Sequence, residues 1–174
     1  MRSMFLCILF WSFSAFAQAV NPILAIPIND ELLNDPTIRG YFADLLRQGG
    51  FGHWKTERAA FLVRDEDGQY RCVGWPWDGR LQRQEFHGAI PDGTIAIIHT
   101  HPSELPLGST GDRRTAVRLS MPIFVLTPLN IYMITPAGVS VSVVENRLWA
   151  TFSASSPARC SASGERQIAA KRPR

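Results

Sequence analysis

The apolar, β-branched run Thr94-Ile95-Ala96-Ile97-Ile98 follows the turn formers Pro91-Asp92-Gly93 and ends on His99-Thr100-His101-Pro102. A short apolar run bounded in this way has the pattern of a buried strand. Side chains alternate along a strand, so His99 and His101 share one face at its end while Thr100 points to the other. Pro102 has no N–H to give to a ladder and stops the strand. The nine residues Ser103 to Gly111 are rich in turn formers and predict a loop that returns over the strand end. Asp112 then opens a predicted helix through Leu119, with Ala116, Leu119 and Met121 as its apolar face.

His99, His101 and Asp112, which lies eleven residues beyond His101, are three groups of the types that zinc accepts. Three protein ligands leave a fourth tetrahedral position open, which is the count of a catalytic rather than a structural site. Each residue also has a plainer reading: a polar histidine at a strand end, and an aspartate that caps a helix. The joint spacing of His99, His101, Pro102, Ser109 and Asp112 favours the metal.

These five residues resemble, position by position, the zinc signature of the JAMM metallopeptidases, also called the JAB or MPN-plus family. The resemblance runs from about residue 30 to about 145. It implies a single α/β domain, a mixed β-sheet flanked by helices and similar to the cytidine deaminase fold, with one zinc ion on His99, His101 and Asp112. It also implies a zinc-activated water, an upstream glutamate as general base for amide hydrolysis, and an oxyanion-stabilising role for Ser109. The plainer local reading of Ser109 is an ST-turn or cap residue of the following helix.

The glutamate is assigned to Glu57, which opens Glu57-Arg58-Ala59-Ala60-Phe61-Leu62-Val63, 42 residues before His99. The family carries a glycine-containing apolar run at this point, where Ala59-Ala60-Phe61 stands instead. Glu85 is the alternative base, and Glu66 lies in the turn Asp65-Glu66-Asp67-Gly68.

A basic start at Met1-Arg2-Ser3, an apolar stretch from Met4 to Phe16 and the small-x-small triplet Ala15-Phe16-Ala17 predict a secretory signal peptide over 1–17; cleavage after Ala19 fits equally. The apolar run, of about 13 residues, is short of the roughly 20 that a membrane span needs. The expected protein is therefore secreted or periplasmic, with a metallopeptidase domain over 22–150 and a basic, disordered tail over 151–174. Beyond Cys160 that tail holds four basic side chains against one acidic, which equals the net charge of +3 for the whole chain. The remainder is balanced and gives no sign of a nucleic-acid-binding surface. Cys72 and Cys160, left after export, either pair or remain free thiols.

Along the domain, Asn29-Asp30 predicts the start of a helix that reaches Arg47, with Pro36 either breaking it or starting its main part. Strands are expected near 57–64, 69–75, 80–86 and 94–98, and after the second helix near 123–127, 130–134 and 139–144. Trp75-Pro76-Trp77, with His53 and Trp54, lines a substrate groove or is packing, and His87 is a substrate contact or a loop histidine. The substrate expected is a peptide or isopeptide, such as a peptidoglycan stem peptide. Ubiquitin is disfavoured by export and by the short stretch between Asp112 and Val144. The alternatives are a zinc-binding scaffold without catalysis and a nucleobase deaminase, the latter disfavoured because its His-x-Glu and Pro-Cys-x-x-Cys signature is missing.

Overall fold

The computed structural model describes residues 30–53, 56–80, 84–101, 108–145, 149 and 158–162. The expected signal peptide, Trp54, Pro102 with most of the loop after it, and the tail beyond 162 lie outside the described residues.

At Asp35-Pro36 both readings of the proline apply. The first helix, α1 (Asp30–Asn34), ends before it, and α2 (Pro36–Gln48) begins on it. Proline fits the first helical turn, where its missing N–H costs nothing. The Asp35 carboxylate accepts from the N–H groups of Thr37 at 2.7 Å and Ile38 at 3.2 Å, which caps α2.

The strands are β1 (Ala59–Arg64), β2 (Tyr70–Gly74), β3 (Thr94–Thr100), β4 (Ile123–Leu126), β5 (Asn130–Ile134), β6 (Ser140–Glu145) and the two-residue β7 (Ser161–Ala162), with α3 (Thr110–Leu119) between β3 and β4. They form one mixed sheet in the order β6-β5-β4-β3-β1-β2-β7. Only the β3–β4 and β2–β7 pairs are parallel. Parallel neighbours need a crossover, and α3 with its flanking loops supplies the one from β3 to β4.

Alternation assigns the two faces of the sheet. Ala60, Leu62, Ala96, Ile98, Phe124 and Leu126 point to the face covered by α2, where Ile38, Phe42, Leu45 and Leu46 complete the larger core. Phe61, Val63, Ile97, Ile123 and Val125 point to the opposite face, which Ala116 of α3 helps to cover.

Two expectations are corrected. No strand forms at the described positions of 80–86: Phe86 packs its ring edge-on against Phe61, with centroids 4.8 Å apart, and also contacts Trp75. The outer edge of β2 is taken by β7 instead, and Phe86, partly buried, packs on the α3 face. The tail is not detached throughout from residue 151 onwards, because Ser161 and Ala162 pair with β2. Cys160 is disulfide-bonded to Cys72, and its N–H donates to Asp44 at 3.0 Å. The Ser161 hydroxyl donates to the Cys72 carbonyl at 3.1 Å. Asp44 is a buried carboxylate on α2, satisfied also by Arg47 and by Gln48 at 2.8 Å.

Candidate metal centre

The end of β3 is fixed from both sides. The Thr100 N–H donates to the Arg58 carbonyl at 2.8 Å, and the His101 N–H donates to the Leu126 carbonyl at 3.0 Å. Thr100 turns to the α2 face, where its hydroxyl accepts the Arg58 N–H at 2.9 Å. His99 and His101 therefore turn to the α3 face, with their rings 4.8 Å apart at nearly a right angle.

Asp112 reaches them from the first turn of α3. Ser109 is the N-cap: its hydroxyl accepts the Asp112 N–H at 3.1 Å, and its own N–H donates to Asp112 Oδ2 at 2.7 Å. This reciprocal capping box orients the carboxylate. Asp112 Oδ1 stands 3.6 Å from His99 Nε2, and Oδ2 stands 3.9 Å from His101 Nε2. One ligand atom from each of the three residues lies within 4.8 Å of the others, a grouping that could hold a metal ion.

The residues fit such an ion on two counts. His99 Nε2 is buried and has no hydrogen-bond partner among the described residues, a state that is costly unless something else uses its lone pair. Burial pushes the His99 pKa down to about 4, with His101 adding to the effect and Asp112 opposing it. The imidazole is thus neutral near pH 7, the form that binds metals. Two nitrogens and a carboxylate are ligands that zinc takes, though the same set also suits other divalent first-row metals.

Glu57 joins the group from just before β1: Ala59, two residues on, pairs with His99, and both His101 and Asp112 act on the Glu57 carboxylate. Its pKa is raised, first by desolvation and also by Asp112; His101 and a hydrogen bond from the Gln84 main chain oppose the shift. Glu85, the alternative base, pairs instead with Arg80 at 3.5 Å and lies 3.7 Å from His87. Glu66 sits in its turn, exposed.

No family model, curated protein or solved structure matches the chain. Its chemistry must therefore be read from its own residues. Three of these carry no motif in the sequence. Gln84 holds Glu57 through its main chain, while its side-chain amide donates to the Pro76 carbonyl at 3.1 Å. Thr100 locks β1 to β3 through its hydroxyl. Gly108 is buried just before the cap, where a methyl group would overlap the Ile134 side chain and stand 3.5 Å from Val125. It lets the start of α3 lie against the sheet. Among the aromatic residues, Trp75 packs with Phe61 and Phe86, whereas Trp77 is exposed beneath the Arg58 guanidinium, 4.8 Å from its ring centroid. His53 and His87 are exposed.

Proposed function

We propose that this chain is a zinc-dependent hydrolase of peptide or isopeptide bonds, of the JAMM type, acting outside the cytoplasm. The observation that carries the reading is the convergence of His99, His101, Asp112 and Glu57 on one face at the end of β3. A bound zinc supplies a Lewis acid that acidifies water and polarises a carbonyl. His99, His101 and Asp112 are the residues that would hold it. Glu57, partly desolvated and steadied by the Gln84 N–H, takes a proton from the attacking water and returns it to the leaving amine nitrogen. The Ser109 hydroxyl accepts from the Asp112 N–H but keeps its own proton, which it can donate to an oxygen that gains negative charge. The N-terminal signal pattern supports export.

The test compares wild type with Glu57→Gln by metal analysis and by mass-spectrometric profiling of cleaved peptides. One zinc per chain is expected in both proteins, with cleavage lower in the variant by about 10²- to 10⁴-fold. Full activity in the variant would remove Glu57 from the mechanism. Cleavage that survives zinc chelation would overturn the reading, and zinc binding with no cleavage of any peptide would point to a scaffold.

A further inference from the structure

Beside the ligand group lies a cavity of about 420 Å³ between α3 and residues 84–90. Its volume falls in the range of small-ligand sites, roughly 300–1,000 Å³. Phe61 and Ile97 line it and face each other across β1 and β3, the next same-face pair after Ala59 and His99. Two residues along a strand cover about 6.6 Å. On the opposite wall, Thr115 lies one helical turn beyond Asp112 and Leu119 lies two, so both walls run on from the ligand group.

The lining is apolar and aromatic, with Trp75, Phe86 and Ile90 added to these residues. Two of the lining residues also carry polar atoms without a partner among the described residues. These are Trp75 Nε1 and Gln84 Oε1, both buried. One is a donor and the other an acceptor, the pair that a peptide unit requires. Buried polar atoms of this kind are costly until a partner arrives.

We propose that this cavity is the subsite for a large apolar side chain, aromatic or branched, flanking the bond that is cut, with Trp75 Nε1 donating to a substrate carbonyl and Gln84 Oε1 accepting a substrate N–H. The inference rests on the amide-hydrolase reading and names its substrate class. Because an extended chain advances about 3.3–3.6 Å per residue, a residue next to the scissile bond reaches the cavity. A stem peptide of small and charged residues would leave it unfilled. Gln84 also holds Glu57, so a substrate in the cavity touches the segment that steadies the proposed base.

The test has a binding arm and a cleavage arm. Acetyl-phenylalanine N-methylamide and acetyl-alanine N-methylamide are titrated into the zinc-loaded Glu57→Gln protein, followed by NMR shifts. Peptide sets that differ only in the residues flanking the cleaved bond are given to the zinc-loaded wild type. Phenylalanine should be favoured over alanine by roughly ten- to two-hundred-fold in both arms. Thr115→Trp, which fills the cavity, should bring the preference to near unity while zinc content holds. Trp75→Phe should weaken binding of both amides and leave the preference. Equal binding of the two amides by the Glu57→Gln protein, or a preference untouched by Thr115→Trp, overturns the subsite. Selective binding without cleavage of any peptide upholds the ligand class and removes the hydrolase reading; cleavage without selectivity does the reverse.

Discussion

The two faces of the sheet are built to different ends. On one, α2 places Ile38, Phe42, Leu45 and Leu46 against Ala60, Leu62, Ile98 and Phe124, all almost wholly buried. On the other, α3 buries only Ala116, leaves Val117 half exposed, and stands over two histidines and a cavity. A helix that seals its face contributes apolar burial, at about 25 cal/mol per Å². A helix that stops short of sealing leaves room for polar groups whose burial costs stability. The α2 face therefore carries the fold and the α3 face carries the candidate metal site.

The contrast is broken most directly on the α2 face. Phe42 is fully buried, with its ring 5.3 Å from that of Phe124, and Phe42→Ala should cost about 3–5 kcal/mol in denaturant unfolding. Leu119→Ala, on the half-covered α3 side, should cost less. Equal losses would mean that both helices carry the fold alike.

The disulfide tests the same face at its edge. Cys72 and Cys160 are 88 residues apart and join the tail to the α2 core. Replacing both by serine should lower stability by about 2–4 kcal/mol, since a long closed loop is released in the unfolded chain. Zinc stoichiometry should be unchanged. Loss of zinc in this variant would show that the two faces are coupled.

Acid and alkali should separate the faces in the metal-free protein. His99 titrates at about 4 when folded and near 6.5 when unfolded, so the unfolded chain binds the extra proton between those values. Stability is full above pH 6.5, falls as the pH drops towards 4, and loses on the order of 2–3 kcal/mol. His99→Gln should flatten that limb. On the α2 side, Tyr41 donates its hydroxyl to the Tyr70 carbonyl at 3.0 Å, and burial raises its pKa above 10. The unfolded chain then loses its proton first, so stability falls as the pH rises past 10, and Tyr41→Phe should remove that loss. Acid unfolding of unchanged steepness in His99→Gln would take the histidine out of the account.

What could be read in the sequence follows the same division. Local rules placed β3 and the shared face of His99 and His101, because alternation and a stopping proline act within a few residues. They also predict that Asp112 opens a helix, but α3 starts two residues earlier, at Thr110 with Ser109 as its N-cap, which puts Asp112 inside the first turn. Pairings between distant segments were beyond such rules. A strand is expected over 80–86, yet Phe86 packs on Phe61 and Trp75, while β7, far downstream of β2, takes the open edge. The disulfide was undecided for the same reason, since nothing near Cys72 announces Cys160. Glu57 was assigned by separation, and its nearness to His101 depends on the pairing of β1 with β3, which neither residue announces alone. The contact from Gln84 to Glu57 arises only once Gln84 and Phe86 are laid beside the α3 face.

Ser109 gives the smallest effect on stability and the sharpest separation of fold from chemistry, because one hydroxyl serves the helix cap and the proposed oxyanion. Ser109→Ala removes the acceptor for the Asp112 N–H and should cost about 1 kcal/mol, whereas glycine at an N-cap costs only a few tenths. Ser109→Gly therefore keeps α3 nearly as stable as the wild type while removing the only O–H at that position. Peptide hydrolysis measured at saturating zinc should fall equally in both variants if the proton of the hydroxyl is used. A rate that tracks stability, lower in the alanine variant and near wild type in the glycine variant, would reduce Ser109 to a cap and leave oxyanion stabilisation to the zinc.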